Sequence, residues 1–309
     1  MSRSIRIGTR GSRLAVIQTG KVRSALESRF PELQFEVQII KTRGDKILDS
    51  PLSKIGGKGL FIREIEEALI RGRIDLAVHS LKDLPTSLPE ELAVGGVLRR
   101  EDPRDAFVSR DGLKLADLGE GASIGTSSLR RRAQILKINR HLQVVDIRGN
   151  IDTRLGKIRD GYCDALVLAA CGLQRSGSGD TITEYLDPEV MLPAVCQGII
   201  GIEIRRQDER TAELAAGISD QLTFSVAVAE RAFLHKLEGG CQIPVGCLGT
   251  IRGGECTVRG LVADPDGNRM IRRALRGKAS TIQRLATELA DIILESGGAE
   301  VLESIRNST

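Results

Sequence analysis

The sequence has no Trp, two Tyr and six Phe, so aromatic residues make up only 3% of its 309 positions. A chain this poor in flat rings lacks the stacking platforms on which proteins bind single-stranded nucleic acid. Its core must therefore be aliphatic. No stretch approaches the roughly 18 consecutive apolar residues of a membrane-spanning helix. The opening residues, MSRSIRIGTR, scatter charge through the segment and contain no apolar signal-peptide core. Six cysteines stand at 163, 171, 196, 241, 247 and 256, without a Cys-x-x-Cys pair, and there are only three His. That pattern fits neither a zinc site nor a disulfide framework, so no metal and a reducing, cytoplasmic compartment are expected.

What the chain does have is Arg. Of 45 basic residues, 34 are Arg and 11 are Lys, against 41 acidic ones. The net charge of +4 conceals a division: residues 1–175 carry 31 basic and 22 acidic side chains, whereas 176–309 carry 14 and 19. The planar guanidinium fork grips carboxylates and phosphates at two points, so an Arg-rich first half points to an acidic ligand, or else to Arg-biased solvated surfaces. A basic nucleic-acid-binding protein is disfavoured by the aromatic count and by the acidic C-terminal portion. With 41% hydrophobic residues and this length, a globular protein of two or three domains is expected.

An internal repeat organises the first two-thirds. Ile5-Arg6-Ile7-Gly8-Thr9-Arg10-Gly11-Ser12 reads like Ser123-Ile124-Gly125-Thr126-Ser127-Ser128, in each case an apolar strand, Gly-Thr, a serine and an amphipathic helix. Gly59 leads through a helical pattern to Asp75, and Gly149 leads similarly to Asp164, at spacings of 16 and 15 residues. Both copies read as alternating strands and helices, the pattern of a mostly parallel sheet covered on both faces. In such sheets ligands sit at the carboxyl ends of strands, where helix N-termini offer unpaired N–H groups. The Ser and Thr residues there also read simply as helix caps.

The lobes are joined by the charged segment 98–105, and the chain crosses back at 192–198, ahead of an apolar strand at Ile199–Ile204. Two crossings make a hinge of the kind found in lobes that close on a ligand. From about Leu222 the pattern changes to a helix over 225–237, strands at 248–252, 257–263 and 270–275, and a last helix over 281–296. Asp264-Pro265-Asp266-Gly267 is a turn signal between the last two strands. The fold class expected is α/β, two lobes with a small C-terminal α+β domain. Their limits are 1–98 with 199–217, 104–192, and 221–309.

Three segments carry chemistry. Residues 49–61, rich in Gly and Lys, lack the Gly-x4-Gly-Lys-Ser/Thr spacing of an ATP-binding loop and read either as a basic loop over a cleft or as a plain surface loop. His79-Ser80-Leu81-Lys82-Asp83 follows the apolar strand 76–78. Asp83 there is either a carboxylate that stabilises developing positive charge or half of a surface ion pair with Lys82. Cys241 follows Gly239-Gly240 in a loop where a thiol can be exposed, and is either a nucleophile or an inert loop cysteine. Cys163 and Cys171 lie in apolar contexts that mark them as core.

The ordered motifs GTRGS (8–12), TRGD (42–45), GGKGLF (56–61), AVHSLKDLP (77–85), REDPRDAF (100–107), GTSSLRR (125–131), RGN with TRL (148–155) and EGGCQIPVG (238–246) resemble the hydroxymethylbilane synthase (porphobilinogen deaminase) family over essentially the whole chain. The resemblance implies two periplasmic-binding-protein-type lobes and a third domain. It implies a tetrapyrrole-pathway (heme) transferase that joins four porphobilinogen molecules head to tail with loss of ammonia and releases linear hydroxymethylbilane. It implies a monomer with no nucleic-acid or membrane partner, and a dipyrromethane cofactor bound through a thioether to Cys241. Further, it implies cofactor contacts at Lys82, Ser80, Thr126, Ser128, Arg130 and Arg131, and substrate contacts at Arg10, Ser12, Arg148, Arg154 and Arg175. Lys54, Lys58 and Phe61 belong to the covering loop, and Asp83 is the catalytic carboxylate. Each porphobilinogen brings an acetate and a propionate, which gives the Arg excess a partner. Cys196 departs from the pattern, standing where the family commonly has Gly, as does Cys171, standing where a smaller residue is usual. A non-catalytic two-lobed binding protein for an acidic small molecule is the competing reading; it leaves Cys241 and the third domain without a role.

Overall fold

The computed structural model describes residues 4–42, 62–237 and 243–307. Along the chain, strand β1 (Ile5–Arg10) leads into helix α1 (Arg13–Arg29), β2 (Phe35–Ile40), α2 (Arg63–Ile70), β3 (Leu76–Ser80) and β4 (Leu92–Val97). Next come β5 (Asp105–Ser109), β6 (Ser123–Gly125), α3 (Leu129–Ile138), β7 (Gln143–Val145), α4 (Ile151–Arg159), β8 (Ala165–Ala169), α5 (Ala170–Arg175) and β9 (Glu184–Tyr185). The chain continues through β10 (Ile200–Arg205), α6 (Glu209–Gly217), α7 (Gln221–Lys236), β11 (Val245–Arg252), β12 (Glu255–Ala263), β13 (Met270–Lys278), α8 (Ile282–Ile293) and α9 (Ala299–Asn307). Two compact units result, residues 1–101 with 199–224 and residues 102–198 with 225–309. The C-terminal sheet and helices thus cluster with the second lobe.

The first unit holds a five-stranded sheet of order β2-β1-β3-β10-β4, and the second a five-stranded sheet of order β7-β6-β8-β5-β9. In both, the first three strands are parallel and the fourth is antiparallel to its neighbours. That antiparallel strand is in each case the one entered after the chain passes from the other unit: β5 follows residue 101 and β10 follows residue 198. The duplication read in the sequence is therefore a duplication of topology.

Alternation along the strands sorts side chains onto two faces. In the first unit Ile5, Ile7, Leu76, Val78, Ile200, Ile202 and Ile204 meet Val22 and Leu26 of α1 and Leu214 of α6. On the opposite face Ala77 and Leu92 meet Ile65, Ala68 and Leu69 of α2. The second unit repeats this, with Ala106, Val108, Leu166 and Leu168 against Leu155 and Ile158 of α4, and Phe107, Ile124, Ala165 and Val167 against Ile135 of α3.

The Gly-Thr glycines are equivalent in packing as well as in sequence. A Cβ on Gly8 would lie 2.2 Å from Ile74 Cδ1, and one on Gly125 would lie 2.7 Å from Leu166 Cδ2. The repeated aspartates also match. Asp75 accepts from the Arg6 backbone N–H at 2.9 Å and from its guanidinium. Asp164 accepts from the Ser123 N–H at 2.8 Å and hydroxyl at 2.7 Å. These two Ser123 bonds, with Arg110, hold the Asp164 carboxyl below the usual carboxylate range.

The C-terminal sheet is antiparallel, in the order β11-β12-β13. Its turn forms at the expected place, with the Gly267 N–H donating to Asp264 C=O at 3.1 Å. Ile282, Leu285, Ala286, Leu289, Ala290 and Ile293 form the buried stripe of α8, at helical spacing. The last helix differs from expectation. It ends at Ile293, passes through a π turn at Leu294–Gly298 in which Gly297 has φ of 100°, and resumes as α9. The Gly297-Gly298 pair, unfavourable inside a helix, accounts for the break.

Cys196 is the one non-glycine residue with positive φ among the described residues, at 58°. An L residue in that region costs roughly 1–2 kcal/mol. The conformation is held by the Cys196 N–H, which donates to Glu230 Oε2 at 2.6 Å. Cys163 and Cys171 are buried, as expected of core residues.

Phe233 of α7 is fully buried, and a Cβ on Gly260 would lie 2.6 Å from its ring. Phe233→Ala is expected to lower stability by about 3–5 kcal/mol, the cost of a large cavity. A urea unfolding series that places the loss below 1 kcal/mol would contradict this packing.

Candidate functional site

Each sheet delivers its candidate residues to one edge. In the first unit Arg10 closes β1, and Ser12 caps α1, accepting from the Ala15 N–H at 3.3 Å. On the adjacent, parallel β3, Ser80 is the last strand residue, and Leu81–Asp83 forms a single 3₁₀ turn directly after it. Arg10, Ser12, Ser80, Lys82 and Asp83 thus share the carboxyl edge of neighbouring strands. Asp83 is exposed, Lys82 half-buried. Ser80 exchanges hydrogen bonds with the buried Gln18 of α1, at 2.8 and 3.2 Å.

Behind that turn lies a buried polar pair. His79 Nε2 stands 3.0 Å from Glu203 Oε2, and Glu203 has no solvent exposure. His79 lies on β3, the central strand of the sheet. Glu66 on α2 feels both partners. Burial first, and the Glu203 charge second, push its carboxyl above the ordinary value, with His79 opposing.

In the second unit the same edge carries more Arg. Ser128 caps α3, accepting from the Arg131 N–H at 3.5 Å, and Thr126 Oγ1 accepts from the Ser128 N–H at 3.2 Å. Arg148 follows β7, and Arg154 lies on α4, its Nε donating to Gly149 C=O at 2.9 Å. Arg175 ends α5 after β8 and donates to Gly198 C=O at 2.9 Å. The strands β7, β6 and β8 are parallel neighbours, so all these residues again lie beyond carboxyl ends. Capping by Ser12 and Ser128 leaves other N–H groups of each first turn available to an anion.

Arg130 and Arg131 are not solvated. Both are buried, 4% and 7% exposed, and both bind Asp105. Burial would raise the Asp105 carboxyl, but the two guanidinium charges overcome it and hold it far below the usual range. Burial depresses Arg130, and Asp105 opposes the shift. Asp105 is the functional-edge residue that sequence reading missed. It falls in the charged segment 98–105, where its place at the head of the apolar run Ala106-Phe107-Val108 is the available signal.

Lys54, Lys58, Phe61 and Cys241 lie outside the described residues. Among the described residues no helix is long and apolar enough to cross a membrane, and no three His, Cys, Asp or Glu converge as metal ligands.

Comparison with known proteins adds the following. A family model described as porphobilinogen deaminase, dipyromethane cofactor binding domain, matches residues 5–213. A second, porphobilinogen deaminase, C-terminal domain, matches residues 224–295. Porphobilinogen deaminase of Trichlorobacter lovleyi is 48% identical over 301 residues, 97% of this chain and 96% of that protein. Porphobilinogen deaminase of a Roseiflexus species is 51% identical over 302 residues, 98% and 99% of the two chains. Among solved structures, the Bordetella pertussis BvgS VFT2 domain is 16% identical, covering 72% of this chain and 91% of its own, with a TM-score of 0.43.

Because Glu66 binds its proton more tightly folded than unfolded, its ionisation lowers stability as pH rises from the unfolded value, about 4.3, through the raised folded one. Glu66→Gln is therefore expected to melt at a higher temperature than the parent at pH 8, with the difference vanishing near pH 4. Melting curves at both pH values check this; a difference independent of pH would refute the assignment.

Proposed function

The chain belongs to the porphobilinogen deaminase family, and on that premise we propose how its own residues divide the family's reaction. The enzyme is a transferase of tetrapyrrole biosynthesis, a hydroxymethylbilane synthase, that condenses porphobilinogen on a dipyrromethane cofactor. We divide the chain into a lobe at 1–98 with 199–217, a lobe at 104–192, and a third domain at 221–309.

The described residues suit such an anionic group. Two guanidiniums share one carboxylate, so the trio of Arg130, Arg131 and Asp105 keeps one net positive charge. It stands at a helix N-terminus, where the dipole adds to the attraction. Arg130 Nε is buried without a hydrogen-bond partner among the described residues, an acceptor-shaped gap in an otherwise satisfied pair. When bound, dipyrromethane supplies the primer end to which the first porphobilinogen is joined. Cys241 anchors it; Ser80, Lys82, Thr126, Ser128, Arg130 and Arg131 hold its carboxylates.

Arg10, Arg148, Arg154 and Arg175, with Ser12, orient the acetate and propionate of the incoming substrate through two-point contacts. Asp83 accepts from pyrrole N–H groups and stabilises the positive charge left when ammonia departs. Its exposure on a short turn fixed to β3 is the observation that supports this role: the carboxylate can meet substrate, and the strand behind it is held. The enzyme works in the cytoplasm as a monomer.

Two variants test this assignment by intact-protein mass spectrometry and assay. Cys241→Ser is expected to run at its bare sequence mass after incubation with porphobilinogen; an adduct on it would remove Cys241 as the anchor. Asp83→Ala is expected to carry the adduct while kcat falls about 10²–10³-fold; near-normal turnover would show that another group carries the charge.

A further inference from the structure

Asp105 is buried completely at the head of β5. Its Oδ1 accepts from Arg131 Nε at 3.1 Å, from Arg131 Nη2 at 2.7 Å and from Gln197 Nε2 at 2.9 Å. Its Oδ2 accepts from Arg130 Nη1 at 2.7 Å. Gln197 Nε2 also donates to Pro103 C=O at 2.9 Å. One carboxylate therefore joins three segments: the chain entering this unit, the chain about to leave it, and the first turn of α3.

The remaining guanidinium bonds are equally fixed. Arg131 Nη1 donates to Val167 C=O at 3.0 Å, and Arg130 Nη1 to Leu192 C=O at 2.7 Å. Gln134, one turn further along α3, accepts from the Leu192 N–H at 2.7 Å and donates through Nε2 to that carbonyl at 3.1 Å, holding it in place. An Arg fork fixed at several points loses little freedom when it meets a ligand. Two buried guanidiniums without Asp105 would repel each other and remain uncompensated.

We propose that Asp105 is a positioning residue for the reaction: it aims Arg130 and Arg131 and cancels one of their two charges, so that the pair neutralises a single carboxylate of the pyrrole chain. This rests on the reading that these arginines hold cofactor carboxylates. A purely structural Asp105 would alter stability without altering cofactor retention.

The test uses the full chain with Asp105→Asn, which keeps the shape but removes the charge and turns N–H donors toward the guanidiniums. Intact mass after incubation with porphobilinogen is compared with that of Leu26→Ala, a core variant of the first unit, each alongside its melting temperature. Both are expected to melt lower, but only Asp105→Asn loses the adduct, by about tenfold or more, the scale of one charged hydrogen bond. Full adduct on Asp105→Asn overturns the proposal. Arg131→Met then separates the causes. If it also keeps the adduct, the assignment of the arginines is wrong; if it loses the adduct, the assignment stands and the positioning role alone fails. Should Asp105→Asn not fold, Gln197→Met removes one bond to the carboxylate and leaves its charge. A loss of about threefold is expected there, and an unchanged adduct fraction overturns the proposal.

Discussion

A carboxylate with no solvent exposure stays ionised only if the protein supplies what water would have supplied, and at Asp105 that supply comes from two guanidiniums and an amide. Much of the second unit follows from this requirement. The first turn of α3 must stand where Arg130 and Arg131 reach β5. The segment at Gln197 must return to the same point, which it does beside a cysteine forced into the left-handed region. Removing the Asp105 carboxylate would leave two uncompensated buried guanidiniums, which costs far more than an exposed ion pair contributes.

The segment around Gln197 is fastened from its other side as well. Glu230, fully buried on α7, accepts from the Cys196 N–H and, through its second oxygen, from the Gly249 N–H at 2.7 Å. Two buried carboxylates, Asp105 and Glu230, therefore bracket residues 196 and 197. Backbone strain of this kind persists only where the surroundings over-determine it. Glycine at 196 would adopt the same conformation without penalty, and the cysteine is tolerated because both bonds fix its position.

The duplicated lobes show how repetition and specialisation coexist. The strand order, the parallel trio, the close-packed glycines and the clamping aspartates recur because each solves a backbone problem common to both sheets. What lies beyond the carboxyl ends differs. The first unit presents a short turn bearing Asp83, suited to stabilising charge as it develops, and the second presents helix N-termini and Arg, suited to holding carboxylates.

Periodicity and turn chemistry made the elements legible. Ile200, Ile202 and Ile204 alternate, Asp264-Pro265-Asp266-Gly267 turns, and the stripe from Ile282 to Ile293 is helical. Motif order carried the candidate residues, since Arg10, Asp83, Arg130 and Arg148 stand in segments that need no structure to be noticed. Burial and partnership were not legible. Asp105, His79 and Glu203 are ionisable residues that composition assigns to the surface, and only the folding of distant segments onto one another removes them from water. The break at Gly297-Gly298 was overlooked for a different reason, as the apolar stripe ran up to it. Local pattern is a property of neighbours along the chain, so the sequence by itself determined the strands, helices, duplication and family. Which groups each Arg engages depends on contacts such as that between residues 105 and 131, and tertiary structure alone decided it.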